Sequence, residues 1–249
     1  MRTLVIIPTY DEADNVEWIV NSVLERQPAV DILIADDGSP DGTGKIADRL
    51  AVDDARVHVM HRKGKQGLGS AYRAGFAWGL DRGYDVLVEM DADGSHRPED
   101  LGRLLEASAQ GADLVLGSRW VPGGGVVNWP WYRRLISRGG TFYAQLMLGI
   151  PIKDATGGYR AFRSTTLERL PLDEVASQGY CFQIDMARRV LDAGMTIVEV
   201  PITFVERVRG ESKMSGGIVR EALWRVTVWG FQRLLPSRRK ARREETVVS

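Results

Sequence analysis

The sequence predicts an α/β fold: a sandwich of helices around a largely parallel sheet. Short apolar runs rich in β-branched residues alternate with helical patterns, and the strand-like runs tend to end in acidic or small polar residues. The 249-residue length suits one large domain or two small ones. Strand-like runs lie at 3–7 (TLVII), 31–35 (DILIA), 57–60 (VHVM), 85–90 (DVLVEM), 113–117 (DLVLG) and 196–205 (TIVEVPITFV). Between the first two, Val16, Ile19, Val20, Val23 and Leu24 repeat at the spacing of one buried helix face, predicting a helix over 14–26. Residues 43–50, 69–82 and 98–110 also read as helices, the last opened by Pro98, which suits a first helical turn.

Bulk properties exclude several classes. Lys plus Arg equals Asp plus Glu at 33 each, so the basic surplus of a nucleic-acid binder is absent. The single cysteine, Cys181, cannot form an intrachain disulfide; it fits a reducing compartment and a core position. The N-terminal apolar run stops at Pro8, too short for a signal peptide, and no run of about 20 apolar residues spans a bilayer.

In parallel sheets ligands bind beyond the carboxyl ends of the strands. There the chain reads PTYDEADN, DDGSPDGT, DADGSH and SRW after the first, second, fourth and fifth runs. Carboxylates gathered at one sheet edge are costly unless a cation neutralises them. Asp91 and Asp93 are two residues apart, so in extended backbone both point one way and can share a hard cation. Asp and Gly also favour turns, and the spacing alone leaves turn and metal site open. His58, His61 and His96 show no zinc spacing; His96 is expected to serve loop structure. GKQGLGS (64–70) has its Gly-Lys first, the reverse of a Walker A loop, and PGGGV (122–126) reads as a flexible loop.

IIPTYDEADN, IADDGSPDGT, VEMDADGSHRPED and GSRW, in this order, resemble the inverting glycosyltransferases of family 2, with the GT-A fold. DATGGYRAFR (154–163), GYCFQIDM (179–186) and ITFVERVRGESKMSG (202–216) are similar to segments of the dolichol- or polyprenol-phosphate mannose synthases within it. The likeness covers roughly residues 2–217. It implies GDP-mannose as donor, a polyprenyl monophosphate as acceptor and Mg²⁺ or Mn²⁺ as cofactor. By position, Pro8, Tyr10, Glu12, Ala35 and Asp37 would line the nucleoside pocket. Asp91 and Asp93 would hold the metal against the diphosphate, with Ala92 and Ser95 nearby. Arg119 would meet the phosphates at the reaction centre, and Arg207 and Lys213 would clamp the nucleotide. Arg119, Arg133 and Ser137 are the candidates for the acceptor phosphate, with Arg134 adjacent to Arg133. Asp154 is expected to be structural or to touch the sugar rather than to act as a base. A phosphate monoester, with a second pKa of about 6, is already largely a dianion near neutral pH and needs no base. Other polyprenyl-phosphate transferases using a different nucleotide sugar share the early motifs, and a non-catalytic nucleotide-sugar-binding subunit is the alternative of another class.

The expected layout is a GT-A catalytic domain over 1–216, an amphipathic helix over 217–235 and a basic tail over 236–249. Residues 130–150 combine aromatic and aliphatic side chains with Arg133, Arg134 and Arg138. On the 217–235 helix Glu221, Arg225 and Gln232 form a narrow polar stripe, and Trp224, Trp229 and Phe231 lie outside it. Arg238, Arg239, Lys240, Arg242 and Arg243 follow. Apolar helices beside basic clusters suit an anionic membrane surface. The expectation is peripheral attachment to the cytoplasmic face of a membrane, with a separate transmembrane partner protein where family members lack their own spans.

Overall fold

The computed structural model describes residues 1–175, 179–206 and 216–234. Strands β1 (Thr3–Thr9), β2 (Val30–Asp36), β3 (Val57–His61), β4 (Val86–Glu89), β5 (Leu114–Ser118), β7 (Arg160–Arg163) and β8 (Ile197–Pro201) form one sheet, ordered β3-β2-β1-β4-β7-β5-β8. Every neighbouring pair is parallel except those of β7, which runs antiparallel between β4 and β5. The predicted αβα sandwich with a mostly parallel sheet is the observed fold.

Alternation along β1 builds the two cores. Val5 and Ile7 point to the face covered by α1 (Val16–Arg26), α2 (Thr43–Asp53) and α4 (Leu101–Ala109). Leu4 and Ile6 point to the face covered by α3 (Leu68–Leu80), α6 (Ser164–Arg169) and α7 (Gly179–Asp192). The five periodic residues of 16–24 are the buried face of α1. A short 3₁₀ turn at Pro98–Asp100 leads into α4. On α3, glycines at 75 and 79 let the helix lie close to the sheet: a Cβ at Gly75 would stand 2.7 Å from Ile6 Cγ2, and one at Gly79 2.5 Å from Leu87 Cδ2.

Two features depart from the sequence reading. The run 196–205 is two strands: β8 ends at Pro201, and β9 (Thr203–Val205) pairs instead with β6 (Gly125–Val127) in a separate ribbon. The buried Ile202 marks the change of direction, giving its N–H to the Ser118 carbonyl and accepting from Gly125 N–H. Strand β7, four residues with an arginine at each end, has no clean apolar pattern. Its Arg160 is fully buried and donates to the carbonyls of Gly157, Gln183 and Ala155.

Helices α5 (Trp131–Leu148) and α8 (Gly216–Leu234) pack side by side. Val226 is buried between α8 and the body of the protein, Tyr143 and Thr227 share a 2.6 Å hydrogen bond, and Arg233 donates to the Leu148 carbonyl at the end of α5. Trp131, Leu135, Phe142 and Leu146 on α5 and Leu223, Trp224 and Phe231 on α8 remain exposed. No described helix is long and apolar enough to cross a membrane.

Candidate active site

The carboxyl ends of the parallel strands supply three groups of side chains. At β1 and β2, Pro8 lies opposite Ala35 in the ladder. Asp36 serves the turn: it accepts from Thr9 Oγ1 at 3.1 Å and Ser39 Oγ at 2.6 Å. Asp37, buried, is ion-paired with Arg62 and accepts from the Gln66 N–H. Arg62 in turn donates to Ser70 Oγ at 2.7 Å. Glu12 accepts from Asn15 Nδ2 at 2.8 Å, and its own N–H is held by Thr43 Oγ1. Lys65 Nζ lies 4.4 Å from the centre of the Tyr10 ring. The glycine-rich segment 64–70 thus forms a wall beside Tyr10 and Asp37.

At the end of β4, the Asp91–Ser95 loop is both a turn and a carboxylate pair. Asp93 Oδ1 accepts from the Ser95 N–H at 3.0 Å, the Asx turn its composition favours, and Gly94 sits at φ +75°. Ala92 and Ser95 are buried, while the Asp91 side chain is one-third exposed. Tyr72 Oη lies 3.4 Å from Asp91 Oδ1. Two carboxylates at one strand end, without further His, Cys, Asp or Glu ligands clustered among the described residues, suit a hard cation that takes its other ligands from phosphate and water. His96 is buried, stacked on Tyr159 at 4.9 Å, and its Nδ1 accepts the Asp91 N–H at 3.0 Å. Burial lowers its pKa, outweighing the carboxylates of Asp91 and Asp93, so the ring is a neutral acceptor that fixes the Asp91 backbone.

Below this loop lies a group that sequence reasoning missed. Glu89, fully buried, accepts from Gln183 Nε2 at 2.8 Å. Desolvation raises its pKa to about 8 against the opposing charge of Arg160. Its only sequence signal is an acidic residue inside an apolar strand.

The third group surrounds Arg119, at the end of β5. The guanidinium is buried against Asp154, with Nε to Oδ2 at 2.7 Å and Nη2 to Oδ1 at 2.6 Å; the Arg119 N–H also donates to Oδ2 at 2.9 Å. Nη2 further reaches Thr156 Oγ1 at 3.0 Å and Ser137 Oγ at 3.3 Å. Arg133 is ion-paired with Glu206. Both guanidiniums lie over one indole, Trp129, at 5.1 Å and 4.6 Å. Arg119, Arg133, Ser137 and Thr156 line a cleft between α5 and α8, and Ile136, Leu223 and Val226 are among its apolar walls. Its empty volume is about 630 Å³, part of it open to solvent. Arg134 does not line it. Arg207, Lys213 and the basic tail lie outside the described residues. Thr156 and Glu206 were not expected at the site, and Trp129, expected with the interfacial aromatics of the 130–150 segment, is instead buried beneath the two guanidiniums, since only the fold brings these residues to Arg119 and Arg133.

A mostly parallel sheet thus carries a carboxylate pair just beyond β4 and a buried arginine just beyond β5. Residues 4–170 match the Glycosyl transferase family 2 domain, and the chain belongs to that family. It is 59% identical over 232 residues to a polyprenol monophosphomannose synthase of Mycolicibacterium smegmatis, covering 93% of this chain and 88% of that one. It is 58% identical over 231 residues to an undecaprenyl-phosphate mannosyltransferase of Micrococcus luteus, covering 93% and 95%. Among solved structures, glucosyl-3-phosphoglycerate synthase from Mycobacterium tuberculosis, in complex with phosphoglyceric acid, superposes with a TM-score of 0.67 at 19% identity, over 91% of this chain and 80% of that one. A mannosyltransferase from Pyrobaculum calidifontis, in complex with GDP-Man and Mn²⁺, gives 0.56 at 17% identity, over 98% and 79%. These two likenesses establish the shared fold.

Proposed function

We propose that this chain transfers mannose from GDP-mannose to a polyprenyl monophosphate at a membrane surface, with inversion to a β-linked product. The observation that carries the proposal is the cleft between α5 and α8: apolar walls together with two arginines gathered over one indole match a molecule with a hydrocarbon body and an anionic head. The names of the two relatives, a polyprenol monophosphomannose synthase and an undecaprenyl-phosphate mannosyltransferase, support the choice of acceptor and sugar.

Tyr10, Glu12 and Asp37, with Pro8 and Ala35 in the strands beneath, receive the nucleoside. Asp91 and Asp93 hold Mg²⁺ or Mn²⁺, which when bound offsets the charge of the leaving diphosphate. Ala92 and Ser95 complete that loop, and Arg207 and Lys213 bind the nucleotide. Arg119, fixed by Asp154, and Arg133 with Ser137 aim the acceptor phosphate at the anomeric carbon. One phosphate oxygen forms the new bond to that carbon as the bond to the diphosphate breaks; GDP leaves with the electron pair. No proton moves, which agrees with an Asp154 whose two oxygens are both engaged by Arg119. The exposed apolar faces of α5 and α8 rest in the headgroup region, bringing the cleft to its lipid.

Transfer of radiolabelled sugar from GDP-mannose and from UDP-glucose to a short prenyl phosphate, with Mg²⁺, Mn²⁺ or EDTA, tests the proposal. GDP-mannose is expected to be consumed only with metal present, and Asp91→Ala and Asp93→Ala to abolish transfer. Consumption of the UDP-sugar alone refutes the donor assignment; full activity of either variant refutes the metal site.

A further inference from the structure

The two arginines of the acceptor cleft each carry a carboxylate, and the two pairs are built differently. Asp154 is fully buried and takes three N–H donations from Arg119, two from the guanidinium and one from the backbone. Such a pair is permanent, because opening it would strand a charge in the interior. Glu206 meets Arg133 through one oxygen only, and its side chain is about a quarter exposed. Among the described residues, three polar atoms around this second pair are buried without a hydrogen-bond partner: Glu206 Oε2, Arg133 Nε and Trp129 Nε1. Eight further such atoms lie elsewhere among the described residues, but these three meet at one ion pair beside the cleft, and buried polar groups are nearly always satisfied, so they point to partners that arrive with a ligand. Trp129 is almost entirely buried, and its ring is the shared platform of both guanidiniums.

Charge leads to the same place. Arg119, Arg133, Asp154 and Glu206 sum to zero. A cluster with Glu206 in place has no net attraction for an anion; with Glu206 turned away it carries one positive charge. The Glu206 backbone is anchored, its N–H donating to the Val127 carbonyl at 3.1 Å. The carboxylate can therefore leave by side-chain rotation while β6 and β9 stay paired.

Resting on the reading of a phosphate acceptor given above, we propose that Glu206 is a stand-in anion. Its carboxylate holds Arg133 over Trp129 until the acceptor phosphate displaces it, and the incoming phosphate takes the unpaired Arg133 Nε–H and Trp129 Nε1–H as donors. Glu206 is a positioning and specificity residue: an acceptor enters only if it binds Arg133 better than a carboxylate does. A dianionic phosphate does so, and an uncharged prenyl alcohol does not.

The test is calorimetric titration of the full chain with a short-chain prenyl monophosphate and with the corresponding prenyl alcohol, using wild type, Glu206→Gln and the double variant Glu206→Gln/Arg133→Gln. Glutamine keeps the shape of Glu206 and removes its charge, and an unchanged far-ultraviolet circular dichroism spectrum with a cooperative melt verifies the fold. Glu206→Gln is expected to bind the prenyl phosphate about tenfold more tightly or better, the size of a lost charge-assisted competitor. Its affinity for the alcohol stays at the wild-type value, and the gain vanishes in the double variant. In the transfer assay the acceptor KM falls while the GDP-mannose KM holds. Unchanged or weaker phosphate binding by Glu206→Gln overturns the proposal. So does an equal gain for the alcohol, or a gain that survives without Arg133. Wild type that binds no prenyl phosphate would instead sink the acceptor assignment itself.

Discussion

Asp154→Asn isolates what the buried pair at Arg119 does. The aspartate gives one oxygen to Arg119 N–H and Nε and the other to Nη2. The amide can replace only one of these oxygens, so its NH₂ must face an arginine donor, and the Arg119 charge stays buried without its counter-ion. Breaking a buried pair from one side costs about 3–5 kcal/mol. For a chain of this size each kcal/mol lowers Tm by roughly 2–4 °C, so the variant should melt about 6–20 °C below wild type. Scanning calorimetry measures this directly. Transfer activity should fall as well, since Arg119 loses its fixed direction, and raising the pH should not restore it. A variant melting within about 2 °C of wild type refutes the energetic argument. One that regains transfer as pH rises would make Asp154 a base and refute the reading of its role.

Glu89, with a pKa of about 8 when folded and an ordinary carboxylate value of 4.5 when unfolded, binds more protons in the folded state between those values. Stability of the metal-free protein should therefore decline as pH rises from about 4.5 to about 8, by an amount on the order of a few kcal/mol, and Glu89→Gln should flatten the profile in thermal melts across that range. Gly79→Ala improves helix propensity by about 1 kcal/mol but drives a methyl into Leu87 and Leu4, with overpacking costs of roughly 1–3 kcal/mol, so urea titration should find it no more stable than wild type and typically less. Gly139→Ala on α5, whose Cβ would meet nothing within 4 Å, should by contrast gain roughly 0.5–1 kcal/mol. Trp131 and Trp224 are 76% and 69% exposed, and burying each in a headgroup region is worth roughly 1.5–3 kcal/mol. The double variant Trp131→Ser/Trp224→Ser should lose at least about a hundredfold in partitioning to anionic vesicles by flotation, and a change under twofold would exclude these helices as the docking face.

Much of the fold was legible because most strands here are short β-branched runs and the helix faces keep strict periodicity, as in 16–24. Strand β7 was invisible because its arginines contradict a buried strand; Arg160 is tolerated only through three carbonyls that the fold brings to it. The break between β8 and β9 was hidden inside one apolar run, and only the pairing of β9 with β6 reveals it. At the site, the turn at Asp93–Ser95 was readable because Asx chemistry is local, whereas the extended backbone expected for Asp91 and Asp93 gives way to that turn once β4 ends at Glu89. The partners of Asp37 and Arg133 were not readable: Arg62 is 25 residues away from the first and Glu206 73 residues away from the second. Ion pairs at such separations follow from topology, which no local pattern encodes.

The reversed strand β7 has a consequence for how this enzyme can diversify. Its start lies beside the end of β5, where Gly117 N–H and the Tyr159 carbonyl are joined at 2.8 Å. Residues 119–158 are thus an excursion whose two ends are pinned together, and they hold Arg119, Trp129, Arg133, Ser137, Asp154 and Thr156. The chain leaves and re-enters the sheet almost at one point, so this excursion behaves as a cassette. With the facing residues of α8 and Glu206, it can be exchanged or remodelled as a unit. The lining around Arg119 and Arg133 can then change over evolution while β1, β2 and β4 are left as they are.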